Sequence, residues 1–381
     1  MSLSPRANRW IETSRGYVLA NGTVAAHEHF DASRLQPLLI TRERRETFER
    51  EYLSKGATLS YGAGDRRIPE KPDPLRTAFE RDRDRIVHST SFRRLAGKTQ
   101  VFIFPTDHQR TRLTHALEVA QVATAVSRAI GLNVALTEAI AFGHDCGHGP
   151  GGHASEDAFS KFLPEGFDHA TWGADHTLVD LNLCSETLDG IRNHSWSRPQ
   201  PRTPEGTVVS FADRIAYCAH DLEDAIRAGI VKSDGLPLAV VEVAGGSRDQ
   251  QLSYFILDLV ETVVRTGQVA LSELAADSLA ELREFNYKSI YMRPESVEQS
   301  HSVIRVLSLL VEYYVENPGE NPIFPGIESD DVQPGRIDAA VGYVSGMTDR
   351  FAFWKANEKL GLSLEALPLG IDVSQIAWSR R

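Results

Sequence analysis

From about Pro74 onward, apolar side chains recur at steps of three and four residues, the spacing that lines one side of an α-helix. Leu113, Leu117, Ala120, Ala123 and Val126 follow it, so the pattern predicts a helix from Arg112 to Ile130. A second apolar helix is expected over 134–146 and is broken by the glycines of 147–152. A third is expected from His153 to Leu163, where Pro164 stops it. A long amphipathic helix over 206–229 carries Phe211, Ile215, Leu222 and Ile226 on its apolar side and ends at Gly229. Residues 250–284 and 296–315 read as helical, Asn317 to Gly326 as a Pro/Gly-rich loop, and 335–360 as a final helix. Val231 to Val243 contains β-branched residues that suit a short ribbon. The expected fold class is all-α.

Residues 1–75 lack this periodicity. Tyr61-Gly62-Ala63-Gly64 and the prolines at 69, 72 and 74 favour turns and extended chain, with one short charged helix expected from Arg42 to Arg50. The 381 residues are 41% hydrophobic and 24% charged, enough to bury a substantial core. A net charge of -11 argues against a whole-protein electrostatic grip on nucleic acid or anionic membrane. Cys146, Cys184 and Cys218 form no CxxC pair and fit a reducing compartment. The N-terminus has no long apolar run and no stretch approaches the roughly 18 apolar residues of a membrane span. A cytoplasmic location is therefore expected.

Candidate chemistry concentrates in the run from Ala141 to His153, which holds His144, Asp145, His148 and His153 at the end of an apolar helix. Adjacent His and Asp side chains differ in length and point about 100° apart around a helix, so both can reach one ion. His115 and Asp213 stand on two other predicted helices and complete a two-histidine, two-carboxylate metal set with His144 and Asp145. Such a set leaves positions open for water and phosphate oxygen on a cation that prefers about six ligands, such as Mg, Mn or Fe(II). Asp213, Tyr217, His220, Asp221 and Asp224 form one polar face that suits a cavity wall better than a solvated surface. His153 and Glu156, at i and i+3, can act as an acid with its orienting carboxylate. From Arg81 to Arg112 there are eight Lys/Arg against three Asp. Arg81, Arg83 and Arg85 alternate with Asp82 and Asp84 as a solvated helix would, and Arg112, on the face of His115, is the best phosphate candidate.

In order and spacing, these stretches resemble the bacterial deoxyguanosinetriphosphate triphosphohydrolase-like proteins of the HD superfamily. The resemblance runs through Arg85–Ser89, Phe92–Leu95, Lys98–Phe102, Thr111–His115, His144–Pro150, Gly152-His153, Leu188–Ile191, His194-Ser195, Ala212–Tyr217, His220–Asp224 and Gly346–Arg350. It is dense over 81–229 and patchy over 280–360. It implies an HD-type helical catalytic core over 76–235, after an arm of 1–75, with a C-terminal helical region over 236–381 packed upon it. It also implies a metal held at His115, His144, Asp145 and Asp213, with His153 and Glu156 as the catalytic pair. Tyr217 and Asp221 would meet the sugar 3′-hydroxyl, and Arg112 and Arg214 the phosphates. His148 falls with the substrate-binding positions and His169 with the catalytic ones, assisting the phosphates. Two departures stand out. Ala96 occupies a position where relatives often carry a base-reaching Gln, so guanine selectivity does not follow. The surroundings of His169 (Ala170, Trp172, Gly173) differ from the usual Asn and Gln-Ser.

The expected reaction is divalent-metal-dependent hydrolysis of a deoxynucleoside triphosphate to deoxynucleoside and inorganic triphosphate. Water would attack the α-phosphorus while His153 protonates the departing 5′ oxygen. The alternatives are an HD phosphohydrolase of nucleoside monophosphates or cyclic nucleotides, and a non-catalytic binder of nucleotides or single-stranded nucleic acid. A homo-oligomer is expected by resemblance, a membrane partner is not, and nucleic acid stays open.

Overall fold

A computed structural model describes residues 4–27, 36–62, 64–105, 108–323 and 333–368. Residues 1–40 and 41–381 form separate units. In the first, Ser4 caps α1 (Pro5–Glu12), and Tyr17–Val18 pairs antiparallel with Val24–Ala25 as strands β1 and β2. In the second, every named helix is α, 3₁₀ or π, and no strand occurs among the described residues. The all-α expectation holds. No described helix is long and apolar enough to cross a membrane.

The second unit opens with α2 (Arg42–Tyr52), the charged helix expected in that stretch, then α3 (Ala78–His88) and α4 (Thr90–Arg94). Thr77 and Glu80 close a reciprocal capping box at the start of α3, each satisfying a free amide of the first turn. Next come α5 (Arg112–Ala129), α6 (Val134–Gly143), the short α7 (Ala154–Ser160) and α8 (His169–Trp172), then α9 (Ser185–Arg192) and α10 (Pro204–Arg227). Thr203 caps α10 and Pro204 sits in its first turn, where its missing N–H costs nothing. α5 packs against both α6 and α10, so its middle is buried on nearly every side, through Val119, Val122, Ala123 and Val126. Leu117, placed by its spacing on the apolar stripe, is instead 47% exposed.

The C-terminal part comprises α11 (Leu238–Ala244), α12 (Arg248–Thr266), α13 (Glu273–Asn286), α14 (Pro294–Glu316), α15 (Gln333–Ser345) and α16 (Asp349–Leu360). A π-helical turn, Tyr287–Tyr291, lies between α13 and α14. The ribbon expected from Val231 to Val243 is replaced by α11, which buries Val240 and Ala244 one turn apart on the same side. The stretch 250–284 is two helices because Gly267 takes a positive φ of 72° as the cap of α12 and Ser272 then caps α13. The final stretch also divides, at Gly346–Thr348. The loop at 317–326 and the region 236–381 both extend partly outside the described residues.

Two apolar cores result. One gathers α3, α5, α6, α9, α10, α12 and α13, and the other gathers α7, α14, α15 and α16. In the first, α6 and α9 cross closely. A Cβ on Gly143 would lie 2.4 Å from Ile191 Cδ1, and one on Gly190 would lie 2.4 Å from Ile140 Cδ1. This contact seats the end of α6, where His144 follows. Gly190→Ala should therefore overpack the crossing and cost about 1–3 kcal/mol, read as a lower urea midpoint at unchanged slope.

Candidate active site

Three helices deliver the polar floor of one cavity of about 880 Å³. His115 comes from the first turn of α5, Asp213 from the middle of α10, and His144 and Asp145 from the turn that leaves α6. α6 ends at Gly143, so this pair sits just past the helix rather than within it; His144 keeps right-handed helical dihedrals. His115 Nε2 stands 3.0 Å from Asp213 Oδ1 and 3.9 Å from Asp145 Oδ2. His144 Nε2 stands 3.5 Å from Asp145 Oδ1 and 3.7 Å from Asp213 Oδ1. All four side chains named from sequence therefore converge.

The chemistry of this cluster fits a divalent cation. Donors about 2.1 Å from one ion stand roughly 3 Å apart when adjacent and about 4 Å apart when opposed, which spans the separations found. His144 donates Nδ1–H to the carbonyl of Ala141 at 2.6 Å, which leaves Nε2, whose proton a cation would displace, buried and facing the carboxylates. Burial opposes charge on His144, but Asp145 and Asp213 override it and lift its pKa to about 9. Burial likewise opposes charge on Asp145, yet Arg112, His144 and His148 hold it well below the usual carboxylate range. The floor is thus built around ionised carboxylates and attracts positive charge.

Beside it lies a second constellation. Glu156 Oε1 accepts hydrogen bonds from Nδ1 of His153 and Nδ1 of His169, both at 2.9 Å. Burial disfavours the Glu156 carboxylate, but these two histidines keep it ionised, its pKa far below the ordinary value. Sequence spacing pairs Glu156 with His153 alone; the structure makes it a fork between two rings. His153 is 75% exposed by its side chain, so its Nε2 is free to meet a ligand. His169 is buried, its ring lies parallel to His148 with centroids 3.7 Å apart, and its Nε2 stands 3.2 Å from Nε2 of His194. Burial, with His144 and His169 nearby, draws His194 down to about 4. Its Nδ1–H goes to the Ile191 carbonyl, so His169 donates in the contact between the rings. Sequence reasoning gave His194 no role because an isolated histidine ahead of α10 carries no spacing signal.

Of the basic residues between 81 and 112, only Arg112 lines the cavity. Its guanidinium donates to Asp145 Oδ2 at 2.7 Å and leaves Nη2 buried without a partner. Arg81 and Arg85 pair with Glu70, Arg83 with Glu138, and Arg110 with Glu118, Glu223 and Asp224. On α10 the polar face divides. Asp213, Tyr217 and Asp221 line the cavity, whereas Asp224 faces Arg110 and His220 faces Glu118. Arg214 also lines it, stacked on Trp196 with its guanidinium carbon 3.7 Å from the ring centre. Tyr217 accepts a hydrogen bond from Arg283 at 2.9 Å, and Asp221 accepts one from the Tyr291 hydroxyl at 2.5 Å. Arg283 and Tyr291 belong to α13 and the π turn, so the C-terminal helices form the opposite wall. Ala96 is exposed and outside this lining. Of the twelve site residues named from sequence, ten line the cavity, and His144 and Glu156 stand behind it.

An all-helical fold with His and His-Asp at the ends of neighbouring helices and a distant Asp closing the cluster defines an HD-domain phosphohydrolase. The HD domain family matches residues 112–218, and the phosphohydrolase-associated domain family matches 269–358. The chain belongs to the deoxyguanosinetriphosphate triphosphohydrolase-like proteins. It is 41% identical over 327 residues to a protein of that name from Clostridium perfringens (strain SM101), covering 81% of this chain and 94% of the relative. It is 39% identical over 324 residues to one from Caldanaerobacter subterraneus, covering 83% and 95%. Among solved structures, a phosphohydrolase from Bacteroides thetaiotaomicron aligns over 72% of this chain and 67% of that one, at 17% identity and a TM-score of 0.46.

Burial pushes Asp221 up to about 7 despite the Tyr291 hydrogen bond. Its contribution to stability is fully present below the unfolded carboxylate value near 3.8 and is lost as pH climbs through about 7, a change of roughly a few kcal/mol. Asp221→Asn should remove this dependence. The variant's urea midpoint relative to the natural chain should rise between pH 5 and pH 8, and a difference that stays flat would contradict the assignment.

Proposed function

We propose that the protein hydrolyses deoxynucleoside triphosphates to deoxynucleoside and inorganic triphosphate. The observation that carries this reading is that His153, bonded to Glu156 behind it, lines the same cavity as His115, Asp145 and Asp213, which His144 backs. Those four residues would hold a divalent cation, which supplies Lewis acidity toward a phosphate oxygen. The shared name of the relatives supports the nucleotide class, and the cavity volume of about 880 Å³ accommodates a nucleotide.

Each wall then has a task. Arg112, already drawn to Asp145, and Arg214, held by Trp196, neutralise phosphate charge. His148 is buried against Asp145, and burial with Arg112 holds its pKa well below the usual histidine value. It therefore presents a neutral ring to the substrate. Water attacks the α-phosphorus, and the bond from phosphorus to the 5′ oxygen breaks. His153 delivers its proton to that oxygen, and Glu156 steadies the ring through Nδ1. His169, sharing Glu156, assists the phosphates from the buried side. Tyr217 and Asp221 face the sugar, where a ring of tyrosine size crowds a 2′-hydroxyl and selects deoxyribose.

The deciding experiment incubates the protein with each dNTP and Mg, Mn or Fe(II), then separates the products by chromatography. Deoxynucleoside with intact triphosphate is expected. Monophosphate with pyrophosphate, or binding with no turnover, would reject the proposal in favour of another phosphohydrolase or a nucleotide binder. His115→Ala and Asp213→Ala should abolish both bound metal, read by elemental analysis, and turnover. His153→Ala should keep its metal and lose about 10²–10⁴-fold in kcat.

A further inference from the structure

The C-terminal helices reach the loop of catalytic histidines through two buried charges. Lys98 is 3% exposed, and its Nζ donates to the carbonyl of His148 and, at 3.0 Å, to the carbonyl of Ser345 at the end of α15. Asp349, 2% exposed, begins α16. Its Oδ1 accepts from the Gly151 amide at 2.9 Å, and its Oδ2 accepts from the Thr99 amide at 2.9 Å and the Thr99 hydroxyl at 2.5 Å. The same 98–99 segment reaches α5, because the Arg112 amide donates to the Lys98 carbonyl at 3.2 Å and Thr99 bridges to Thr111. One knot therefore fixes the backbone of His148, the turn before His153 and the start of the helix that carries Arg112 and His115.

The loop needs such an external hold. Residues 147–152 include four glycines, and Gly151 and Gly152 take φ of 74° and 66°. Glycine gives a loop these conformations and also leaves it the most freedom to abandon them. A Cβ on Gly151 would lie 2.6 Å from Val303 Cγ1 on α14, so the turn is also pressed against the C-terminal core. Burying a lysine and an aspartate carries a large desolvation cost that apolar packing would avoid, so the gain from this arrangement is directional. Lys98 and Asp349 both lie outside the cavity lining.

We propose that Asp349, working with Lys98, is a positioning residue for the phosphohydrolase reaction: it locks the glycine loop so that His148 and His153 stand in register with the metal cluster. This role rests on the reading of His153 as the proton donor. It accounts for Lys98 and Asp349 themselves, which stand outside the cavity lining within two stretches that the resemblance singled out, Lys98–Phe102 and Gly346–Arg350.

The test uses the full chain with Asp349→Asn, Lys98→Met and their double variant, and has two arms. The first needs no substrate: hydrogen–deuterium exchange across 146–153, with thermal unfolding and metal content measured in parallel. The loop should exchange about tenfold faster or more in each variant, with the rest of the chain and the bound metal unchanged. The second arm measures kcat and KM for the dNTP that the natural chain cleaves best. Misplacement of the acid should lower kcat about 10–100-fold at a KM within about threefold, and the double variant should lose little more than the worse single one. If Asp349→Asn does not fold, Thr99→Val removes one contact of the knot and takes its place. Unchanged loop exchange, or a kcat loss matched by an equal loss of folded protein, would overturn the proposal. If the natural chain cleaves no dNTP, the proposed substrate falls, and the exchange arm still decides whether Asp349 holds the loop.

Discussion

A carboxylate kept ionised inside the protein is the constraint around which the site is arranged. Asp145 is 3% exposed, and an isolated charge at that depth would be untenable. Arg112 meets one of its oxygens, while His144 and His148 crowd the other. Each of these partners needs support in turn. The Ala141 carbonyl fixes the tautomer of His144, Lys98 holds the His148 backbone, and the start of α5 orients Arg112. The close crossing of α6 and α9, the glycine loop and the C-terminal knot all serve to bring positive or cation-seeking groups to one buried anion.

That arrangement explains why the cavity has two walls of different origin. The HD-domain segment provides the metal-type donors, the histidine fork, and Arg112 and Arg214. The π turn and α13 provide Tyr291 and Arg283, whose contacts orient Asp221 and Tyr217 from across the cavity. Asp221 and Tyr217 are therefore held from both sides, although both lie on α10.

Much of the floor was legible from spacing because it depends on short-range periodicity and on unusual residue types at helix ends. The His144-Asp145 pair announces itself by residue type at a helix end, and His115 and the cavity side of α10, with Asp213 at mid-helix, follow from helical spacing. What spacing could not reveal depends on distance along the chain or on direction in space. Asp349 meets Thr99 across 250 positions. A charge count cannot separate Arg112, which lines the cavity, from Arg110, which is absorbed by Glu118, Glu223 and Asp224. Glu156 appears to spacing as the partner of one histidine because the second arrives from another helix. The unseen breaks at Gly267 and at 346–348 have a similar cause, since a short cap between two apolar runs hardly disturbs their period.

The π turn at Tyr287–Tyr291 has a consequence for how this chain can vary in length. A wide turn accommodates one residue more than an α-helical turn over the same advance. Trimming that residue would rotate Tyr291 by about 100° relative to Arg283 on α13, with which the turn is continuous. The Tyr291 hydroxyl and the Arg283 guanidinium could then no longer both reach α10. A single-residue insertion or deletion here would uncouple the two walls at a stroke.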